Sequence, residues 1–257
     1  MLMHLSTDKT PSMTIFCPLF KGEKFIKGYM EDMVKQSIFS EVQFHILDCA
    51  SPENEHEIIK DYLHHGNIKY ERLKKDPGLY AAWNICAKNA DTDLIGNWNV
   101  DDRKTAWSLE VLRNPFVFNE SIDMTYGLTA VSKVAYETWE DMTPFYYYQA
   151  QKITHWKDLL QNNHPHCMPV WKKSLHDRYG YFNEDYKTAS DSDMWIRAAK
   201  EGAIFEFVNQ PVGVYFRNPH GMSSNPENLR KMLDEVNAMR KSYDPEYEPR
   251  PIPKDLK

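Results

Sequence analysis

The sequence has no apolar run that approaches the ~18–20 residues needed to span a lipid bilayer, so it predicts no transmembrane helix. Its first residues, 1–12, lack a basic stretch followed by an apolar one, which argues against a signal peptide. Only four cysteines occur, far apart and without a C-x-x-C pair, which favours buried, reduced thiols over disulfides. These absences lead us to expect a cytoplasmic protein.

An excess of basic residues is also missing. The chain carries 31 Lys and Arg against 37 Asp and Glu, a formal charge of −6. Because sequence-independent binding to nucleic acid requires a basic surface, we expect no nucleic-acid partner. Hydrophobic residues make up 42% of the 257 residues, which is enough for a core that needs no disulfides.

Short apolar runs alternate with amphipathic segments over residues 13–98. The predicted strands are 13–17, 42–47, 68–73 and 94–98, and the predicted helices are 22–37, 53–63 and 79–89. This alternation predicts an α/β fold, a Rossmann-like, mostly parallel sheet with helices on both faces. Ligands of such sheets bind beyond the carboxyl ends of the strands, so the residues after each strand are the first candidates for a site.

The second half of the sequence is less regular. Residues 103–166 show no clear periodicity, and the aromatic run Phe145 to Tyr148 suits either core packing or stacking on a sugar ring. A helix is predicted at 192–201 and strands at 205–208 and 212–216. We divide the chain into a flexible arm (1–12), a main domain (13–224) and an extension (225–257) with an amphipathic helix and a proline-rich tail.

The strongest candidate for a site is Asn99-Val100-Asp101-Asp102, directly after the fourth predicted strand. Its oxygen ligands suit Mg²⁺ or Mn²⁺, and such a cation would neutralise charge on a departing phosphate. A hydrogen-bonded turn explains the same residues and is favoured on the pattern alone. Asp91-Thr92-Asp93 has the same D-x-D spacing but precedes the strand, so we interpret it as a solvated turn at the opposite edge of the sheet.

Two further candidates come late in the sequence. Asp191 begins a predicted helix, where it suits either a helix cap or a general base, and Asp193 is interpreted as structural. His220 lies in a Pro/Gly turn after the last predicted strand, which suits either an exposed residue or a metal ligand. The other histidine pairs lack metal-ligand spacing and are interpreted as surface or loop residues: His64 with His65, and His164 with His166.

Taken in order, these segments resemble the family 2 nucleotide-sugar glycosyltransferases of the GT-A fold. The segments that carry the resemblance are Thr14 to Phe20, Ile46 to Ser51, Gly78 to Asn84, Asn99 to Asp102, Gly180 to Glu184 and Ser190 to Arg197. The likeness runs from about residue 13 to residue 224. Its order and spacing, more than any one motif, make it specific.

The resemblance implies a donor site in residues 13–102 and an acceptor site in residues 103–224. Asp191 would be the base that deprotonates the acceptor hydroxyl in one inverting displacement, and Asp101 with His220 would bind Mn²⁺ or Mg²⁺. The implied donor-binding residues are Pro18, Phe20, Asp48, Gly78, Asn84, Asn99 and Val100. The expected reaction moves one sugar from a nucleotide sugar, with a UDP-sugar as the first candidate, to a hydroxyl of a glycan or lipid-linked acceptor. Peripheral contact with a membrane is compatible with it.

The sequence also departs from the family pattern. Asn99 replaces the usual first Asp, Ser190 replaces the frequent Glu before the base, and the absence of a downstream Q-x-x-R-W argues against a processive polymer synthase. Asn99 therefore leaves open a non-catalytic nucleotide- or sugar-binding module, which Asp191 argues against. A nucleotidyltransferase would need a glycine-rich loop after the first strand, and residues 18–24 contain one glycine.

Overall fold

The computed structural model describes residues 10–143, 146–148, 150–222 and 225–249. The strands are β1 (Met13–Leu19), β2 (Val42–Asp48), β3 (Ile68–Arg72), β4 (Leu94–Asn97), β5 (Arg103–Lys104), β6 (Met124–Ser132), β7 (Tyr146–Tyr147), β8 (Val170–Lys172) and β9 (Phe205–Phe216). The helices are α1 (Glu23–Val34), α2 (His56–Ile59), α3 (Leu79–Asn89), α4 (Ser108–Phe118), α5 (Asp158–Gln161), α6 (Ser174–Tyr179), α7 (Ser190–Lys200) and α8 (Pro226–Tyr243). Most of the predicted arm (1–9), Phe145 and the end of the tail (250–257) lie outside the described residues.

One mixed sheet runs through the chain in the order β3-β2-β1-β4-β8-β6-β9-β5, with β7 paired to β6. Strands β3, β2, β1 and β4 are parallel, as are β6 and β9. Strands β5, β7 and β8 pair antiparallel with their neighbours. The predicted α/β fold is confirmed, and its four-stranded parallel part lies in the N-terminal half of the chain.

The strand order reverses at β1. The chain proceeds outward from β1 through β2 to β3 and then returns to place β4 on the other side of β1. In open α/β sheets, such a reversal leaves a crevice beyond the carboxyl ends of the strands. The loops after β1, β2 and β4 therefore meet at one edge of the sheet.

Two hydrophobic clusters cover the two faces of the sheet. Alternate residues of β1 point to opposite faces, so Phe16 enters one cluster while Ile15 and Cys17 enter the other. All four cysteines are free and buried, as predicted. Within the described part of the chain, no helix is long and apolar enough to cross a membrane.

Several predicted elements differ from the structure. Strand β1 continues through Pro18 to Leu19, because its pairing with β4 ends at Phe16 and Pro18 is not needed as a donor on that side. The predicted helix 53–63 is only the short α2, followed by a 3₁₀ turn at Lys60–Tyr62. The two predicted late strands are one strand, β9, which bulges at the exposed Asn209 and Gln210.

Residues 103–166, which show no clear periodicity in the sequence, contain regular elements that the sequence analysis did not predict. Helix α4 lies there with Pro115 inside it, and this proline hid the helical pattern. Strand β6 is nine residues long and buried along nearly its whole length, so it lacks the polar alternation that marks a half-buried strand.

Candidate active site

The carboxylate of Asp48 lies at the end of β2, fully buried within a polar network. It accepts hydrogen bonds from the Tyr70 hydroxyl (2.5 Å), from the Arg72 guanidinium and from the Ser51 backbone N–H (2.8 Å). Parallel pairing with β3 sets Asp48 opposite Arg72. Tyr70 and Arg72 thus join the predicted donor site, although the sequence pattern did not single them out.

The loops after β1 and β2 are fixed to each other through Glu55. This buried carboxylate accepts the Ser51 hydroxyl (2.6 Å) and the Gly22 backbone N–H (2.8 Å). Pro18 is partly buried at the end of β1, and the next aromatic ring, Phe20, is 43% exposed. An exposed ring beside the crevice is available to a flat ligand.

The predicted metal-binding loop is a turn directly after β4. Asp102 is fully buried and accepts the Asn99 amide (3.1 Å) and the Phe216 backbone N–H (3.3 Å). Desolvation by burial raises the pKa of Asp102 well above its ordinary value, and the nearby Asp101 raises it further. The turn interpretation and the position at the strand end are both correct for this loop.

Asp101 has a different environment from Asp102. Its carboxylate accepts one long hydrogen bond from the Asn218 amide (3.4 Å), and desolvation raises its pKa. Asn218 also accepts the backbone N–H of His220 (3.0 Å), whose side chain is exposed. Within residues 10–143, 146–148, 150–222 and 225–249, no three His, Cys, Asp or Glu residues are grouped to hold a metal ion.

Asp191 is not the cap of α7, because the N-cap position is Ala189. Its carboxylate accepts the Tyr80 hydroxyl (3.1 Å) and the Asn163 amide (2.8 Å), and desolvation raises its pKa. Asp193 instead bonds to Arg197 (3.0 Å) and to the Tyr243 hydroxyl (2.7 Å), which confirms its structural role.

Asp191 opens into a cavity of about 230 Å³ between the sheet, α3, α7 and α8. The cavity is lined by Leu79, Tyr80, Trp83, Asn97, Asn99, Asn163, His166, Cys167, Thr188, Asp191, Ser192, Tyr215, Met222, Val236 and Arg240. Pro18, Phe20 and Asp48 are not among these residues, whereas Asn99, another predicted donor-binding residue, lines the cavity together with the predicted base.

The cavity concentrates polar atoms that have no protein partner. The buried unpartnered atoms on its lining are Trp83 Nε1, Asn97 Oδ1, Asn163 Oδ1, His166 Nδ1, Ser192 Oγ and Arg240 Nε. Leaving a buried donor or acceptor unsatisfied costs about 1–3 kcal/mol.

His166 lies in a turn, in agreement with its interpretation as a surface or loop residue, but its ring packs against two tyrosines. Its ring stacks on Tyr148, with 3.8 Å between ring centroids, and meets Tyr215 edge-on. Desolvation lowers its pKa to about 3, so the imidazole is neutral at pH 7. Its backbone has the left-handed φ of 52°, a conformation uncommon for residues other than glycine.

The remaining predicted donor-binding residues have structural contacts of their own. Gly78 precedes α3 with a φ of 87°, and its N–H bonds to Asp76 (2.8 Å). Both ends of the Asn84 amide bond to the backbone of Phe182 (2.9 and 3.0 Å). Val100 packs closely on Gly22, where the Cβ of any larger residue would come within 3.0 Å of the valine side chain.

Residues 14–179 match the family described as glycosyl transferase family 2. The match covers more than half of the chain. The chain belongs to this family. It is therefore a glycosyltransferase, and the family assignment made from the sequence is confirmed. The search of curated proteins found no match to the chain.

Solved structures show that this glycosyltransferase has the GT-A fold. S. aureus TarS 1–349 in complex with UDP-GlcNAc matches with a TM-score of 0.70 at 16% identity, over 89% of this chain and 66% of that chain. The mannosyltransferase PcManGT from Pyrobaculum calidifontis, in complex with GDP-Man and Mn²⁺, matches with a TM-score of 0.66 at 13% identity, over 95% of this chain and 67% of that chain. The chain spans 41% of the longer TarS structure.

The family match ends before α7, yet later elements supply part of the glycosyltransferase's cavity. Helix α7 contributes Asp191 and α8 contributes Arg240. The sequence contained one signal for Arg240, because it follows Val236 by four residues on the apolar face of an amphipathic helix.

Proposed function

We propose that this glycosyltransferase moves a single sugar from a nucleotide-sugar donor to a hydroxyl of a glycan or lipid-linked acceptor, with inversion at the anomeric carbon. The observation that carries the proposal is the Asp191 carboxylate, which faces a cavity that Asn99 also lines. A base and the end of the donor-side strand therefore border the same space.

In the proposed reaction, Asp191 takes the proton from the acceptor hydroxyl. The acceptor oxygen attacks the anomeric carbon, and the bond from that carbon to the donor diphosphate breaks, with its electron pair leaving on the diphosphate oxygen. Tyr80 and Asn163 orient the carboxylate by their hydrogen bonds to it. Desolvation raises the pKa of Asp191, which makes the carboxylate a stronger base.

The residues after β4 fit a divalent cation that binds together with a substrate. Mg²⁺ and Mn²⁺ in such sites use one or two carboxylates and complete their coordination with phosphate oxygens and water. Asp101 is a desolvated carboxylate with a single long hydrogen bond, and a cation would offset the cost of its charge. We propose that Asp101 and His220 hold Mn²⁺ or Mg²⁺, which would stabilise the charge on the departing diphosphate.

The crevice between β1 and β2 is the proposed nucleotide site. Pro18, Phe20 and Asp48 would bind the nucleobase and ribose, and Gly78, Asn84, Asn99 and Val100 would shape the rest of the donor site. A UDP-sugar is the first candidate, supported by the UDP and UDP-GlcNAc complexes of TarS, while the GDP-Man complex of PcManGT supports testing guanine nucleotides too. The four free, buried cysteines support a reducing compartment, the cytoplasm.

A second candidate is a non-catalytic binding module, which Asn99 favours because it replaces a metal-binding carboxylate. A thermal-shift panel of UDP, GDP, dTDP, CMP and their common sugars, each with Mn²⁺ and with EDTA, tests the donor half of the proposal. A ligand that binds the native state raises the melting temperature by mass action. We expect a metal-dependent shift with one nucleotide class. The absence of any shift across the panel would count against the transferase.

A further inference from the structure

Arg240 differs from the other arginines of the chain. Six of them pair with carboxylates within 4.0 Å: Arg72, Arg103, Arg113, Arg178, Arg197 and Arg230. In the described part of the chain, Arg217 and Arg240 have no such pair, and of these two Arg240 lines the cavity. An arginine that lines a cavity and forms no ion pair within 4.0 Å is available to an anionic ligand.

The position of the Arg240 guanidinium is set by neighbouring residues of the C-terminal segment. Its Nη1 donates to the Tyr247 hydroxyl (3.1 Å), and the group lies over the Tyr247 ring, 5.8 Å from the centroid. Tyr247 is itself buried, so its position and that of the Arg240 guanidinium are fixed by packing. Nε of Arg240 remains buried without a partner. These contacts thus orient the guanidinium of Arg240 but leave the Nε–H donor of the group without a hydrogen-bond partner.

The same cavity carries the base and is also lined by Asn99, whereas Pro18, Phe20 and Asp48, which are proposed to bind the nucleobase and ribose, do not line it. Asp101 and His220, the proposed ligands of the metal on the diphosphate, do not line it either. An anion beside Arg240 would therefore lie next to the base, where the two sugars meet. The positive charge of Arg240 also acts on the Tyr148 hydroxyl, where it opposes the desolvation that raises the pKa of this tyrosine. Tyr148 stacks on His166, so Arg240 lies on the side of the cavity formed by that stacked pair.

We propose that Arg240 binds a carboxylate or phosphate group on a sugar that occupies this cavity, so that the enzyme selects an anionic sugar as its acceptor or as the transferred group. This inference rests on the proposed transferase function. Helix α8 then completes the substrate site from outside the family-matched segment. Asn97, Asn163 and His166 line the same cavity and would border that sugar.

Isothermal titration with matched charged and neutral probes tests the proposal. On the acceptor side, with UDP or GDP present, methyl β-D-glucuronide is compared with methyl β-D-glucoside, and glucose 6-phosphate with glucose. On the donor side, UDP-glucuronate is compared with UDP-glucose. Each probe is titrated into the wild type, Arg240→Gln and the control Arg230→Gln, which changes an exposed arginine of the same helix.

We expect the wild type to bind the charged member of at least one pair about tenfold more tightly, as a charge-assisted hydrogen bond provides. Arg240→Gln should reduce this ratio to about one, Arg230→Gln should retain it, and the responding pair identifies the source of the anion. The proposal is overturned by equal responses to charged and neutral probes in the wild type, including no response, or by a preference that survives in Arg240→Gln.

Two measurements of nucleotide affinity separate this inference from the proposed function. Affinity for UDP or GDP alone should be the same in the wild type and in Arg240→Gln. A parallel loss of nucleotide affinity in the variant would assign Arg240 to the diphosphate and overturn the inference. A wild type that binds no nucleotide would contradict the proposed transferase instead.

Discussion

At the scale of single residues, the carboxylates around the crevice differ in what surrounds them. Asp48 is paired with Arg72, Asp102 is enclosed by backbone and amide donors, and Asp191 faces a cavity. Burial raises the proton affinity of a carboxylate, while a cation or an N–H donor lowers it. The same residue type is thus held as an ion-paired anchor, as a buried turn residue and as a candidate base.

Asp101, after β4, and Asp91, in the other D-x-D segment before β4, give a matched pair of variants. Asp101→Ala should weaken nucleotide binding by tenfold or more when Mn²⁺ is present, because a metal ligand is lost, and should have little effect with EDTA. Asp91→Ala, in the exposed turn before β4, should match the wild type under both conditions. Titration calorimetry measures both. An equal loss with EDTA would show that Asp101 is not a metal ligand.

The sequence could predict the places of some site residues but not their partners. Asp101 and Asp191 were found because the first lies in the turn after β4 and the second in the first turn of α7. Tyr70, His166 and Asn218 were not found, because the role of each comes from a contact with a residue that is distant in the sequence. The partners are Asp48, Tyr148 and Asp101, at separations of 22, 18 and 117 positions. No local pattern records such contacts.

At the scale of elements, α8 holds the start of α7 through Glu235. Its carboxylate accepts the backbone N–H groups of Lys187 (2.9 Å), Thr188 (2.7 Å) and Ala189 (2.9 Å). Ala189 is the N-cap of α7, and its N–H is one that a helix leaves open, while Lys187 and Thr188 belong to the turn before the helix. Desolvation tends to raise the pKa of Glu235, but these hydrogen bonds outweigh it and lower the pKa overall. The turn that presents Asp191 is thereby fixed by a second helix.

Glu235→Gln should lower the free energy of unfolding by about 1 kcal/mol at pH 7, because charged acceptors form stronger hydrogen bonds. Since the folded state lowers this pKa, the carboxylate stabilises the fold above its ordinary value of about 4.3 and loses that effect as the pH falls through the folded-state pKa. The difference in the free energy of unfolding between wild type and variant should therefore disappear in acid.

Urea unfolding at pH 7 and in acid measures this difference in the free energy of unfolding between wild type and Glu235→Gln. The control is Asp234→Asn, an exposed neighbour that pairs with Arg230 on the same helix, and it should change stability by less than about 0.5 kcal/mol. A Glu235→Gln effect that persists unchanged in acid would mean that the carboxylate charge does not stabilise the α7 turn.

Element prediction succeeded where a single apolar face marks the element. The observed bounds of α3, Leu79–Asn89, agree with the predicted 79–89. It failed for β6, which is buried nearly throughout, and for α4, which contains Pro115. The pattern-based rules detect contrast between faces, of which β6 has little, and they are interrupted by the proline in α4, although that helix has one buried face.

At the scale of the whole molecule, one sheet joins the proposed donor and acceptor sides. Parallel β1 to β4 form the crevice side, and β6, β8 and β9 extend the same sheet towards α7 and α8. The parallel half was predictable because strands and helices alternate along the sequence. The antiparallel strands β5, β7 and β8 were not, because strands of two or three residues have no local signature.

This arrangement predicts that binding and turnover can be separated by variants in different halves of the chain. Asp191 belongs to the acceptor half, so Asp191→Asn should leave affinity for the donor nucleotide within about twofold of the wild type. Loss of a general base should lower the transfer rate by about 10²–10⁴-fold. Asp185→Asn, in the exposed loop before α7, should affect neither quantity.

The most direct test of the proposed reaction is the rate of nucleotide release from the bound nucleotide sugar in the presence of a panel of glycan acceptors, measured for wild type and Asp191→Asn beside their donor affinities. We predict acceptor-dependent release by the wild type, its near-complete loss in Asp191→Asn, and unchanged donor binding. Equal release rates in the two proteins would contradict this mechanism, because Asp191 would then not be the base.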